Sequence, residues 1–273
     1  MVGLIIVNQT ELEKPWLYKK SQAFYPWGTK NLPSPSNEGQ IVLACDNNDP
    51  PNTDICNGVI NKYAWAPNTF IALPTIYCHF PGKGDKWVND GLTEIQLATS
   101  RDGINWKRYR KPYISSSSSN EIDMSYGTVF MGLGIVKSKN QILHYYSGSP
   151  NTYGQPPEKP GRYKLYCAIQ RLDGFVSADA PYEGGSFITP EITFEGNRLL
   201  ININTFATGE AKIEIIEPVT HKILATSQII RGNFIDKQIV WLREDNIGIW
   251  ARKNIKLQFK MLNAKLYAFQ FTE

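Results

Sequence analysis

The sequence predicts an all-β protein, and three observations carry that reading. Runs rich in Ile, Val, Tyr, Phe and Thr recur between turn residues along most of the chain. Apolar residues at helical spacing with capping residues are confined to one short segment near residues 10–20. A hairpin signature, strand, Asp-Gly and strand, stands at 94–108 as EIQLATSRDGINWKR and returns at 171–177 as RLDGFVS.

The first set of strands is GVINKYAW (58–65), TFIALPTIYCHF (69–80), EIQLATS (94–100) and NWKRY (105–109). Four antiparallel strands in that order make one blade of a β-propeller. A second set follows with GTVFMGLGIVKS (127–138), QILHYYSGS (141–149) and RYKLYCAIQ (162–170), which runs into the second Asp-Gly signature. Asp102-Gly103 predicts a two-residue type I′ turn, because both central residues of that turn need positive φ. Trp106 is expected to pack between blades; its counterpart Ser177 is not aromatic, so the second copy of the unit is degenerate. Beyond the Gly- and Pro-punctuated connector DAPYEGGSFITP (179–190), strands of alternating apolar and polar residues predict a β-sandwich of roughly 90 residues. The organisation read from the sequence is therefore residues 1–178 as propeller blades and 179–273 as a C-terminal sandwich.

Composition bounds the function classes. The chain has 273 residues, 12% aromatic and 20% charged, enough apolar material for packed cores. The formal charge of +4 is scattered, and its densest cluster, KRYRK at 107–111, reads as a basic edge, not a nucleic-acid face. MVGLIIV at the start lacks a basic flank and is too short for a signal h-region or a span, so the chain as given reads as cytoplasmic, with no membrane partner. Cys45, Cys56, Cys78 and Cys167 show no CxxC pairing, which argues against zinc. Three histidines far apart in sequence, His79, His144 and His221, give a transition-metal centre little support. CDNNDPPNTD (45–54) clusters oxygen ligands suited to Ca²⁺, but without EF-hand spacing. No phosphate loop, dinucleotide motif or HExxH is present, and no cofactor is expected.

CDNNDPPNTDICNG (45–58), LPTIYCHF (73–80), NDGLTEIQLATSRDGINW (89–106), AIQRLDGFVSADAPYEGG (168–185) and LNAKLYAFQF (262–271) together resemble the C-terminal part of a little-characterised group related to glycoside hydrolases. That group is similar to the invertase-like and arabinanase-like furanosidases, and the resemblance implies a five-bladed propeller followed by a β-sandwich. A blade takes on the order of 50 residues and closed propellers need about four to eight blades. Only two to three fit before residue 179, so an incomplete ring is expected. In the wider furanosidase group the nucleophile-type carboxylate lies in the first blade, in an Asn-Asp-Pro type of motif that MVGLIIVNQTELEKPWLYKK does not resemble. The chain then reads either as the C-terminal part of a longer enzyme or as a reduced relative.

Glycoside hydrolysis uses two carboxyl groups across the scissile bond. Asp54, just before GVINKY, and Asp123, just before YGTVFMG, occupy corresponding positions ahead of inner strands and are the catalytic candidates. His79, Trp87, Asp90, Glu94 and Tyr126 are the substrate-binding candidates. His79 ends an apolar strand, Asp90 belongs to the Trp87–Gly91 loop, Glu94 opens a strand, and Trp87 and Tyr126 offer faces for sugar rings. Asp49, Trp65 and Tyr77 are further possibilities. Each has a structural reading too: an Asp between strands serves as a turn former, and propeller cores consume aromatics. Asp102 and Asp173 are assigned to turns. The expected activity is glycoside hydrolysis or binding of a plant or microbial oligosaccharide, and the alternative is a non-catalytic carbohydrate-binding or assembly module. Exposed blade edges suggest a homo-oligomer.

Overall fold

The computed structural model describes residues 41–83, 87–116, 125, 127–154, 163–244 and 246–273, together with two short paired strands, β1 (Ile6–Gln9) and β2 (Ser21–Phe24). Asp123, Tyr126, the side chain of Trp87 and the segment near 10–20 lie outside the described residues. The protein is all-β, built of several antiparallel sheets, with one short 3₁₀ turn at Ile247–Trp250 among the described residues. The chain divides into two compact units. The first comprises residues 1–138 and 143–169, and the second comprises 139–142 and 170–273.

The first unit holds a four-stranded sheet of consecutive strands: β3 (Thr53–Lys62), β4 (Phe70–Pro81), β5 (Trp87–Ser100) and β6 (Trp106–Ile114). Two starts differ from the sequence reading. β3 begins at Thr53, so Asp54 lies within the strand, paired with Tyr77. β5 begins at Trp87, so Asp90 lies on a strand and Glu94 lies in its middle, not at its start. The apolar residues that fill one face, Ile55, Ala72, Ile76 and Ala98, pack beneath Leu43, with Val42, Cys45, Ile60 and Trp106 around them. A second sheet has the order β10 (Lys164–Arg171), β9 (Gln141–Ser149), β7 (Thr128–Met131), with β8 (Val136–Ser138) also paired to β9.

The free edge of β7 meets the first sheet through one side chain. The Thr93 hydroxyl donates to the Val129 carbonyl at 3.0 Å and accepts from the Val129 N–H at 2.7 Å. A threonine thus supplies the two hydrogen bonds that a neighbouring strand would give, which keeps a buried backbone pair satisfied. Nearby, the Tyr113 hydroxyl and His144 Nε2 are hydrogen-bonded at 3.0 Å, and His144 is buried. Burial holds the His144 imidazole down to about 4, so the ring is neutral at physiological pH.

The Asp-Gly sites are not the predicted hairpin turns. β5 ends at Ser100 and β6 starts at Trp106, which pair directly across a five-residue loop. Of the two central residues only Gly103 has positive φ, 77°, so the turn is not type I′. The Asp102 carboxylate organises the loop instead, accepting from the Ile104 N–H at 2.8 Å and the Asn105 N–H at 2.7 Å. At the second site Asp173 itself is left-handed, with φ 58°, and the next strand pairs away from β10.

Within the second unit, Arg171 anchors that chain segment. Its guanidinium donates to Asn202 at 2.8 Å, Asn233 at 2.6 Å and the Phe234 carbonyl at 2.7 Å, and it lies over the Tyr267 ring. The second unit has two four-stranded sheets. One has the order β11 (Ala178–Ala180), β18 (Ala264–Thr272), β13 (Arg198–Asn204), β16 (Asn233–Gln238). The other has the order β12 (Gly185–Ile188), β17 (Lys256–Leu262), β14 (Glu210–Ile216), β15 (Ile223–Thr226). Alternate residues of both, including Leu199, Ile201 and Ile203 of β13, Ile213 and Ile215 of β14, and Leu257 and Phe259 of β17, form one buried apolar cluster. Period-two alternation explains this: each strand sends every second side chain inward.

Candidate functional site

The register of β3, β4 and β5 decides which candidates meet. Asp54 pairs with Tyr77, and Tyr77 with Thr93, so these three side chains share a face; His79, two residues beyond Tyr77 on β4, shares it too. Glu94 pairs with Ile76 and therefore faces the other way, onto the side that holds Ile55 and Ala98. The structure brings Asp54 and His79 together and separates Glu94 from them.

His79 is fixed at both ring nitrogens. Nδ1 donates to the Val88 carbonyl at 3.0 Å, and Nε2 lies 2.8 Å from Asp54 Oδ2. A carbonyl only accepts, so Nδ1 carries a proton, and Nε2 shares a proton with Asp54. Burial alone pulls the His79 pKa down, but the hydrogen bond to Asp54 and that to the Val88 carbonyl outweigh it and hold the group above its usual 6.5. The ring also packs on Tyr77, centroid to centroid 4.1 Å, and Tyr77 packs on Tyr153 at 4.6 Å. The Tyr77 hydroxyl is buried and has no hydrogen-bond partner among the described residues. Its ionisation is pushed well above the usual tyrosine range, first by burial and then by the Asp90 charge.

Tyr153 reaches this cluster because its loop is stitched to β5. The Tyr153 N–H donates to the Gly91 carbonyl at 2.9 Å, and the Gly154 N–H donates to Asp90 Oδ1 at 3.0 Å. The contact requires glycine: a Cβ on Gly154 would stand 2.1 Å from the Asn89 carbonyl oxygen. Asp90 is thereby a clamp. Burial raises its pKa, but the Thr152 hydroxyl and the Gly154 and Gly91 N–H groups more than offset this and hold it below the usual carboxylate range.

The opposite face carries a chain of polar contacts. Glu94 accepts from Gln96 Nε2 at 2.8 Å, and Gln96 accepts from Arg108 Nε at 2.9 Å. Arg108 Nη1 then lies 2.7 Å from Asp49 Oδ2, with both side chains only 4% exposed. Arg110 bridges Asp49 and Asp46. The basic cluster at 107–111 is therefore partly consumed inside the unit, since β-strand alternation sends Arg108 and Arg110 to one side together. Two guanidinium groups on Asp46 and Asp49 also oppose a cation on that loop. Among the described residues, no group of three or more His, Cys, Asp and Glu side chains could hold a metal ion. Trp65 stands apart, edge-on to Tyr63 with the Lys137 ammonium 5.3 Å from its ring.

All four cysteines are free thiols. Cys45 and Cys56 are pushed up to about 11 and about 12, chiefly by burial, whereas Cys78 and Cys167 are exposed. Tyr153, and Arg108 as the buried partner of Asp49, are the residues that sequence reasoning missed. NTYG (151–154) carries no local motif, and its place beside Tyr77 follows only from the tertiary pairing. Among the described residues, no helix is long and apolar enough to cross a membrane. No protein-family model matches the sequence, and a search of curated proteins finds no matching relative.

Proposed function

We propose that the protein is glycoside hydrolase-like, with β3–β6 and β7–β10 as successive propeller-type blades, the last two sheets as a β-sandwich, and an oligosaccharide site at Asp54. The observation that carries this reading is the Asp54–His79 pair set against Tyr77 and Tyr153. The hydrogen bond to His79 Nε2 at 2.8 Å fixes the orientation of the Asp54 carboxyl, which suits Asp54 to a nucleophile or general-base role. Tyr153, packed on the buried Tyr77 and itself 43% exposed, supplies aromatic surface for a sugar ring. Asp123 is the proposed partner carboxyl.

The test mixes the purified chain with arabino-, fructo-, xylo- and galacto-oligosaccharides and reads proton NMR for new anomeric signals and for saturation transfer. Turnover by the wild type, lost in Asp54→Asn and in Asp123→Asn with binding kept, is the expected result. Normal hydrolysis by both variants sinks the catalytic assignment.

A second reading, a non-catalytic binding or assembly module, is favoured by two observations. Among the described candidate carboxylates only Asp54 remains for chemistry on this face, because Asp90 is occupied by backbone N–H groups and Glu94 points away. β10 also presents an uncharged exposed row, Leu165 (74% exposed), Cys167 and Ile169 (61% exposed), at a sheet edge where a second copy could pair. Saturation transfer without new anomeric signals from the wild type decides for this reading, and sedimentation reports the copy number.

A further inference from the structure

The outer face of the β12–β17–β14–β15 sheet carries a groove of about 620 Å³, inside the ~300–1,000 Å³ usual for small-molecule sites. It lies within the second unit and is independent of the Asp54 cluster. On β14 and β17 the residues between the core positions Ile213, Ile215, Leu257 and Phe259 point away from the core, which brings Glu214, Gln258 and Lys260 to the groove. Glu214 pairs directly with Gln258 across the strands, and Lys212 pairs with Lys260.

Glu214 is unusual for an outward-facing carboxylate because it is only 3% exposed. Its two oxygens are held by different lysines, Oε1 at 3.8 Å from Lys212 Nζ and Oε2 at 2.9 Å from Lys260 Nζ. Both lysines keep over 40% of their side chains exposed, so their remaining N–H groups point to a bound molecule or to solvent. Lys256 lines the same groove, while Ile188, Ile216 and Ile223 supply its apolar walls. His221 lines it as well, and no Phe, Tyr or Trp is among its lining residues.

We infer that this groove binds an acidic sugar of the uronate class, its carboxylate on Lys260 and Lys256 and its hydroxyls on Gln258. The lining contains three features such a ligand needs: cations for the carboxylate, an amide for hydroxyls, and aliphatic surface for ring carbons. A neutral sugar would use only the last two. A plain hydrophobic ligand would leave Glu214 and the lysines without any gain.

The experiment titrates the full chain, labelled at isoleucine methyl groups, with trigalacturonate and separately with neutral galactotriose, following methyl shifts and calorimetric binding. Trigalacturonate is expected to move the Ile188, Ile216 and Ile223 methyls, to bind about tenfold more tightly than the neutral trimer, and to weaken as salt is raised. Lys260→Met should lose about tenfold in affinity by removing one charge-assisted hydrogen bond. Lys260 is also the nearer partner of the buried Glu214, so Glu214→Gln is added to both arms and Lys260→Met is compared within that background, where no buried charge is stranded. The inference is overturned by equal binding of both trimers, by shifts confined to isoleucines of the first unit, by unchanged affinity in Lys260→Met, or by no methyl shift at millimolar trigalacturonate.

Discussion

Replacing Arg108 by Met tests whether the polar chain on the far side of β3–β6 stabilises the strand that carries Asp54. Arg108 and Asp49 are each 4% exposed and 2.7 Å apart, so neither charge is screened by solvent. Removing one partner of such a pair costs ~3–5 kcal/mol, because the other charge stays behind in a poor solvent. Asp49 would keep the Asp46 N–H at 2.8 Å and Arg110 Nε at 3.3 Å, which places the expected loss at the lower end, ~3 kcal/mol. Methionine retains the apolar stem, so little of the loss is packing. Adding Asp49→Asn to Arg108→Met removes the stranded charge and should restore ~1–2 kcal/mol. Urea unfolding followed by tryptophan fluorescence measures both. A loss below ~1 kcal/mol for the single variant, or a double variant no more stable than the single one, refutes the argument that a buried charge is stranded.

Three further outcomes follow from the same geometry. His79 has a raised pKa in the folded protein, so its contribution is fully present below pH 6.5 and is lost as pH rises through the folded value. Stability of the first unit should therefore fall above pH 6.5, a trend absent in His79→Gln, and an NMR titration midpoint for His79 below 6.5 contradicts it. His144 works in the opposite sense: the unfolded chain takes up a proton between pH 6.5 and about 4 that the folded chain refuses. Up to ~3 kcal/mol should be lost over that window, read as urea midpoints in the His79→Gln background. Thr93→Val strands the N–H and carbonyl of Val129 and should cost ~2–3 kcal/mol, with faster hydrogen exchange at the Val129 amide.

Strand content was legible because β-branched and aromatic runs bounded by turn residues dominate the chain, and QILHYYSGS was read at its observed bounds, 141–149. Strand starts were less legible. Asp54 follows Pro50-Pro51 and Thr53, a stretch that reads as loop until the pairing of Thr53 with Cys78 is known. Facing is harder still, since a register change of one residue reverses every side chain. Asp54 and His79 lie 25 residues apart in sequence, and only the β3–β4 register puts them on the same face. The Asp102-Gly103 turn was misread for a local reason: Asp102 caps the N–H groups of Ile104 and Asn105, which favours a longer loop over the two-residue turn.

The four thiols turn the first unit into its own gauge of opening. Every cysteine belongs to that unit and none to the second. Cys78 and Cys167 should alkylate at once and half-buried Cys45 more slowly, while buried Cys56 waits for the unit to open, because reaction needs an accessible thiolate and burial denies both conditions. Following Cys56 by mass spectrometry therefore clocks the breathing of the Asp54 sheet separately from anything the second unit does, without a probe having to be engineered into the chain.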